Sequence, residues 1–160
     1  MKKLCLLAVV LLISLTTVFA QKGQKSVGVS LGYGSEMETL KLGVNFKYNF
    51  SDQFRVAPSF DYYLKKNGAS FWGVNADANY LFNVGNGINV YPLAGLALIG
   101  VSIDGYYETG KYTDTEFGAN LGGGLDFGLS SAIDLNVEAK YQILDNWNQF
   151  VVSAGISFKF

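Results

Sequence analysis

The sequence predicts an all-β fold, an eight-stranded antiparallel up-and-down β-barrel that crosses a membrane with its strands. Three observations predict it. The last eleven residues alternate without a break: Phe150, Val152, Ala154, Ile156, Phe158 and Phe160 share one face, and Val151, Ser153, Gly155, Ser157 and Lys159 the other. Strand side chains point to opposite faces with period 2, and roughly 9–11 residues carry a tilted strand through a bilayer. The same pattern recurs along the chain, and an export signal precedes it.

That signal occupies 1–20. Lys2 and Lys3 precede an apolar run over 4–15, and Val18-Phe19-Ala20 has the small-x-small form of a signal-peptidase site, so removal is expected after Ala20. The run is shorter than the roughly 20 apolar residues of a spanning helix. Cys5, the single cysteine, stands at the start of the run and not at the cleavage point, which argues against a lipid anchor. The mature chain, 21–160, then has no cysteine and no disulfide. It is one domain by length. Without Lys2 and Lys3 it carries 10 basic and 13 acidic residues, a net of −3, which is no nucleic-acid footprint.

Eight strands are expected in order. The first, 25–34, sets Val27, Val29, Leu31 and Tyr33 against Ser26, Gly28, Ser30 and Gly32. The second, 39–50, sets Leu40, Leu42, Val44, Phe46, Tyr48 and Phe50 against Lys41, Gly43, Asn45, Lys47 and Asn49. The third, 54–64, has Phe54, Val56, Pro58, Phe60, Tyr62 and Leu64 opposite Arg55, Ala57, Ser59, Asp61 and Tyr63. In the fourth, 71–82, Trp72, Val74, Ala76, Ala78, Tyr80 and Phe82 oppose Gly73, Asn75, Asp77, Asn79 and Leu81.

The fifth strand, 88–101, is apolar on both faces and its phase is open; a bulge near Pro92 or Gly95 would account for that. In the sixth, 116–129, Phe117, Ala119, Leu121, Leu125 and Phe127 oppose Gly118, Asn120, Gly122, Gly124, Asp126 and Gly128. In the seventh, 132–144, Ile133, Leu135, Val137, Ala139, Tyr141 and Ile143 oppose Asp134, Asn136, Glu138, Lys140 and Gln142. The terminal run is the eighth.

Alternation alone leaves open which face points inward, and a soluble lipocalin-like barrel would alternate too. Aromatic residues cluster at strand ends around aliphatic middles, as in Trp72-to-Phe82, where rings would sit at two membrane interfaces. The polar face is mostly Gly, Ser and Asn with a few charges. Short connections at 51–53, 83–87 and 130–131 alternate with longer ones at 35–38, 65–70, 102–115 and 145–149. That asymmetry belongs to barrels with periplasmic turns and external loops. Hydrocarbon offers backbone groups no partner, so the sheet must close.

The phases send Lys41, Lys47, Arg55, Lys140 and Lys159 inward with Asp61, Asp77, Asp126, Asp134 and Glu138. Five charges of each sign predict an ion-pair network packing the lumen, since buried charge is tolerated when paired. Eight strands leave an interior just wide enough for side chains to fill. A narrow polar path is the other reading.

The signal, the eight amphipathic strands, the polar lumen and the terminal Ser157-Phe158-Lys159-Phe160 resemble the small outer-membrane β-barrel family, the type of OmpX and the transmembrane part of OmpA. That resemblance implies residence in the bacterial outer membrane, contact with its lipid and lipopolysaccharide, and handling by the barrel-assembly machinery. It implies that Phe160, with Phe158, Ile156 and Ala154 before it, forms the assembly signal. No periplasmic peptidoglycan-binding domain follows, so the anchoring role of longer relatives does not carry over.

Enzymatic chemistry finds little support. There is no histidine, P-loop, dinucleotide fingerprint or Cys/His cluster. No cofactor is expected, and nothing signals an oligomer, so a monomer is expected. The loop 102–115 is the best place for a surface contact, with Asp104, Glu108 and Asp114 among Tyr106, Tyr107 and Tyr112. Its acids could instead hold a hard cation or simply keep the loop wet. Trp72 and Trp147 are expected as interface anchors. Two function classes follow: an envelope or surface-interaction protein, and a small porin-like channel.

Overall fold

A computed structural model describes residues 21–66, 68–103 and 112–160. Residues 1–20, where a signal segment is expected, and eight residues of the third loop therefore lie outside the described residues. Nine strand segments run in chain order: β1 (Lys25–Gly34), β2 (Thr39–Asn49), β3 (Phe54–Lys66), β4 (Ala69–Tyr80), β5 (Phe82–Gly85), β6 (Ile88–Ile103), β7 (Tyr112–Gly128), β8 (Ile133–Leu144) and β9 (Asn148–Lys159). Neighbours pair antiparallel in the order β4-β3-β2-β1-β9-β8-β7-β6, and β4 pairs with β6 to close the ring. β5 continues β4 past Leu81 and pairs with the start of β6, so nine segments make eight staves.

The register fixes the barrel's shape. Cross-strand partners lead from Arg55 through Asn79, Leu93, Gly122, Lys140, Val151, Gly34 and Thr39. Extending the Lys41–Tyr63 pairing by two residues returns to β3 at residue 65, ten positions from the start. With roughly 3.3 Å per residue and roughly 4.8 Å between strands, that shear gives a tilt of about 40° and a backbone radius of about 8 Å. Staves of 10–12 residues then stand about 25–30 Å tall, the height of an outward apolar band.

Alternation decides the two faces. Leu31 is 61% exposed, Val29 55%, Leu40 55% and Leu96 55%, while their strand neighbours Lys41, Lys47 and Asp61 are buried. The molecule is apolar outside and polar inside. Aromatic pairs gather at the turn end: Phe54 meets Tyr80 edge-on at 4.9 Å, and Tyr48 meets Phe50 at 4.8 Å. Pro58 faces outward and has no N–H to give a ladder. It lies where the β2–β3 pairing skips between Asn45–Ser59 and Tyr48–Val56.

Two expectations need correction. The fifth expected strand, β6, holds no bulge: it pairs with β7 without interruption from Ile88 to Ile103. The irregularity lies on the preceding stave, where the β5–β6 register shifts between Asn83 and Gly85; Leu81, between β4 and β5, faces the lumen at 2% exposure and its N–H donates to the Gln53 carbonyl. β6 is apolar on both faces because its inner face, Tyr91, Leu93, Ala97 and Ile99, is buried within the barrel, and its outer face meets lipid. The third loop is also shorter than 102–115. β6 runs to Ile103 and β7 begins at Tyr112, so strand pairing absorbs both ends.

Candidate functional site: the filled lumen

The lumen is built in layers from the staves' inward residues. At the loop end Met37, Tyr63, Ile99 and Leu144 form a buried apolar cluster, with Phe71 and Trp147 packed against it. Met37 reaches it from the β1–β2 connection. Trp147, expected as a membrane anchor, packs on this plug instead. Trp72 lies across Gly100 on the neighbouring β6, where a Cβ would run into the indole.

Beneath the plug lies a belt of side-chain amides. Gln149 Nε2 donates to Gln142 Oε1 at 2.6 Å, and Gln142 Nε2 donates to Asn120 Oδ1 at 3.0 Å and Asn75 Oδ1 at 3.1 Å. Asn120 Nδ2 donates to Asn75 Oδ1 and to Asp77 Oδ1, and Asn75 Nδ2 donates to Asp61 Oδ2. The Tyr63 hydroxyl joins from above through Gln142 and Gln149 at 3.4 Å. Amides suit this depth because each both donates and accepts, so the belt links four strands and reaches the Asp61 and Asp77 carboxylates below, while Gln149 Oε1 is left without a hydrogen-bond partner. Gln149 was expected in the external loop 145–149. It lies in β9 at 1% exposure, aimed inward.

The ion pairs come next. Lys41 Nζ stands 2.9 Å from Asp61, and Lys140 Nζ 3.0 Å from Asp77 and 3.7 Å from Glu138. Below them Asp126 takes two cations, Lys47 at 3.2 Å and Arg55 at 2.5 Å. The Arg55 guanidinium stacks 4.6 Å from the centroid of Tyr91, whose hydroxyl donates to Glu138 at 3.1 Å. Leu81, Tyr91 and Leu93 pack together as a second apolar cluster. Lys159 and Asp134 pair at 2.6 Å at the turn end, where both are partly exposed. All ten inward charges thus have a partner of opposite sign.

Open space is uneven along this axis. A polar cavity of about 410 Å³ enters from the turn end, lined by Gln21, Asn49, Asn83, Asn89, Asp134 and Lys159 among others, with Arg55 and Asp126 at its floor. In mid-barrel a pocket of about 30 Å³ lies between Lys41, Lys47, Asp61, Asp77 and Lys140. The arrangement is a vestibule ending on a packed floor. No group of three His, Cys, Asp or Glu placed to hold a metal occurs among the described residues.

Of the surface-contact candidates, Asp104, Tyr106, Tyr107 and Glu108 lie outside the described residues, and Tyr112 opens β7. Asp114 is exposed, and Glu116 accepts from the Asn146 amide at 3.0 Å, tying the third loop's base to the fourth loop. Ala154, Ile156, Phe158 and Phe160 all point outward. Phe160 is 72% exposed, and its N–H donates to the Lys25 carbonyl at the β1–β9 junction.

A closed sheet, apolar without and charge-paired within, defines a protein that crosses a bilayer on strands. Residues 5–160 match the outer membrane protein beta-barrel domain, and the chain belongs to that family of bacterial outer-membrane proteins. No curated protein matches it. Its fold is similar to the N-terminal β-barrel domain of Pseudomonas aeruginosa OprF, with a TM-score of 0.75 and 18% identity over 89% of this chain and 100% of that one. Neisserial surface protein A is similar with a TM-score of 0.69 and 18% identity, over 86% and 96% of the two chains. Ail, the attachment invasion locus protein of Yersinia pestis, gives 0.64 and 15%, over 87% and 99%. Identities this low carry the fold alone.

Proposed function

We propose that this is a non-catalytic outer-membrane barrel whose lumen serves as a structural core, and that it acts in envelope structure and through contacts of its external loops. The observation that supports this most is the layered filling: plug, amide belt and ion pairs, with a pocket of about 30 Å³ in mid-barrel. A hydrated ion needs a continuous path, and here every layer would have to part. The rigid barrel then presents its loops, with the Tyr- and acid-rich stretch Asp104, Tyr106, Tyr107, Glu108 and Tyr112 as the contact surface. The lipid-facing wall meets the acyl chains of the outer-membrane lipids and lipopolysaccharide. The outward Ala154, Ile156, Phe158 and Phe160 are displayed to the assembly machinery before β9 closes on β1.

Conductance in planar bilayers tests this. The native protein is expected to stay silent at 100 mV, and discrete, reproducible current steps would overturn the reading. A second reading, a small channel, has one observation in its favour, the 410 Å³ vestibule that already opens the turn half of the lumen.

A further inference from the structure

The segment that precedes β1 is folded back onto the turn end. Gly23 N–H donates to the Asn49 carbonyl, Gln24 N–H to the Gln21 carbonyl, and Asn49 N–H to the Gln24 carbonyl. These bonds draw 21–24 into a turn, with Gly23 at φ 82°, where glycine is favoured. The Asp52 carboxylate, in the β2–β3 turn, accepts from the backbone nitrogens of Gln21 at 2.7 Å and Lys22 at 3.0 Å, both on Oδ1. The Gln21 side chain then reaches across the vestibule: its Oε1 accepts from Asn49 Nδ2 on β2 at 3.3 Å, and its Nε2 donates to Asn89 Oδ1 on β6 at 3.4 Å. A single residue is held at both its main-chain nitrogen and its side chain, and it lines the cavity mouth.

Signal removal after Ala20, the reading of the Val18-Phe19-Ala20 site, would make Gln21 the first residue. We infer that Asp52 is a built receptor for the new N-terminus, and that Gln21 serves as a strap across the vestibule that keeps its amine uncyclised. Cleavage replaces the Gln21 amide nitrogen by an α-ammonium at the same position. A neutral donor to a carboxylate then becomes an ion pair with a charge-assisted hydrogen bond.

The chemistry that this restrains is specific. In an N-terminal glutamine the neutral α-amine attacks the side-chain Cδ. A C–N bond forms, the bond to Nε2 breaks, and ammonia leaves with a proton from the attacking nitrogen. The product is a pyrrolidone ring with no positive charge. Asp52 opposes this by holding the amine as ammonium, which has no lone pair to attack with. Asn49 and Asn89 oppose it by keeping the side-chain amide stretched toward β6. A cyclised Gln21 would lose the charge facing Asp52 and, with Nε2 gone as ammonia, the donor to Asn89, so the strap across to β6 would be gone.

The test uses protein exported by cells and extracted from the outer membrane. Intact-mass measurement should give a chain starting at Gln21 with no loss of 17 Da, stable over days at pH 8. Asp52→Asn and Asn89→Ala should each lose 17 Da at least several-fold faster, while keeping the SDS resistance of the closed barrel. Asp52→Glu should restore the wild-type rate. A mature chain starting elsewhere than Gln21 would overturn the inference. So would complete cyclisation of the native protein, or equal rates in the wild type and Asp52→Asn.

Discussion

Replacing Asp126 by Asn should be the most damaging single charge change in the lumen. Asp126 is 2% exposed and faces two cations at 2.5 Å and 3.2 Å, so the substitution keeps the shape and removes the one negative charge between Lys47 and Arg55. Arg55 cannot shed its charge in response. Breaking a buried pair from one side costs about 3–5 kcal/mol, because the remaining charge is left uncompensated. Asp134→Asn is the internal control. Its partner Lys159 sits at the turn-end mouth with side-chain exposures of 20% and 15%, and that loss should stay within about 1 kcal/mol. The assay is reversible urea unfolding of barrels inserted in lipid vesicles, followed by tryptophan emission. At about 2 kcal/mol per molar urea, Asp126→Asn should lower the midpoint by roughly 2 M and Asp134→Asn by less than about 0.5 M. Adding Arg55→Met to Asp126→Asn should recover part of the loss, a coupling of about 0.5–3 kcal/mol. Equal shifts for the two single variants would refute the claim that the buried hub carries the lumen's electrostatic stability.

Further outcomes follow from the other layers. Gln142→Leu leaves Asn75, Asn120 and Gln149 short of partners and should cost about 1–3 kcal/mol in the same assay, whereas the exposed Asn146→Ala should cost under about 0.5 kcal/mol. Tyr63→Ala empties the centre of the loop-end plug and should cost about 3–5 kcal/mol. It should still give no conductance, because the ion pairs beneath remain; current steps in this variant alone would show that the plug by itself is the barrier. Gly100→Val should push the Trp72 indole off its seat and cost about 1–3 kcal/mol. In a Trp147→Phe background, Trp72 emission should shift, and an unchanged spectrum would contradict the packing.

The two faces of the wall were legible in the sequence because period 2 is a local property. Every inward charge from Lys41 to Lys159 could be read from its neighbours. What period 2 does not encode is height and partnership across the lumen. Those depend on the shear of ten, a sum of eight registers set by turns and hydrogen-bond ladders far apart in the chain. Lys140 reaching Asp77, or Asp126 gathering Lys47 and Arg55, could not be paired from sequence for that reason.

The plug was missed for a second reason. Its members come from a connection (Met37), from a strand whose two faces are both apolar (Ile99), from the inward face of the third strand (Tyr63) and from a strand end (Leu144), and their meeting at one height is not a local property. Gln149 read as loop because Asp145, Asn146 and Asn148 lead up to it. The available signal was its phase, since it falls on the same face as Val151, Ser153 and Ser157. Leu81 was placed inward by its phase, but nothing local marked the break in pairing beside it.

The central claim is that the apolar face meets lipid while the polar face fills the lumen, and spin labelling along β9 tests it most directly. Residues 21–160 contain no cysteine, so single cysteines at Val152, Ser153, Ala154, Ile156 and Ser157 can be labelled one at a time in that segment in lipid vesicles. Oxygen dissolved in the bilayer should reach labels at 152, 154 and 156 readily, and neither oxygen nor a water-soluble relaxant should reach labels at 153 and 157. Oxygen accessibility at the two serine positions, or no alternation along the strand, would contradict the claim.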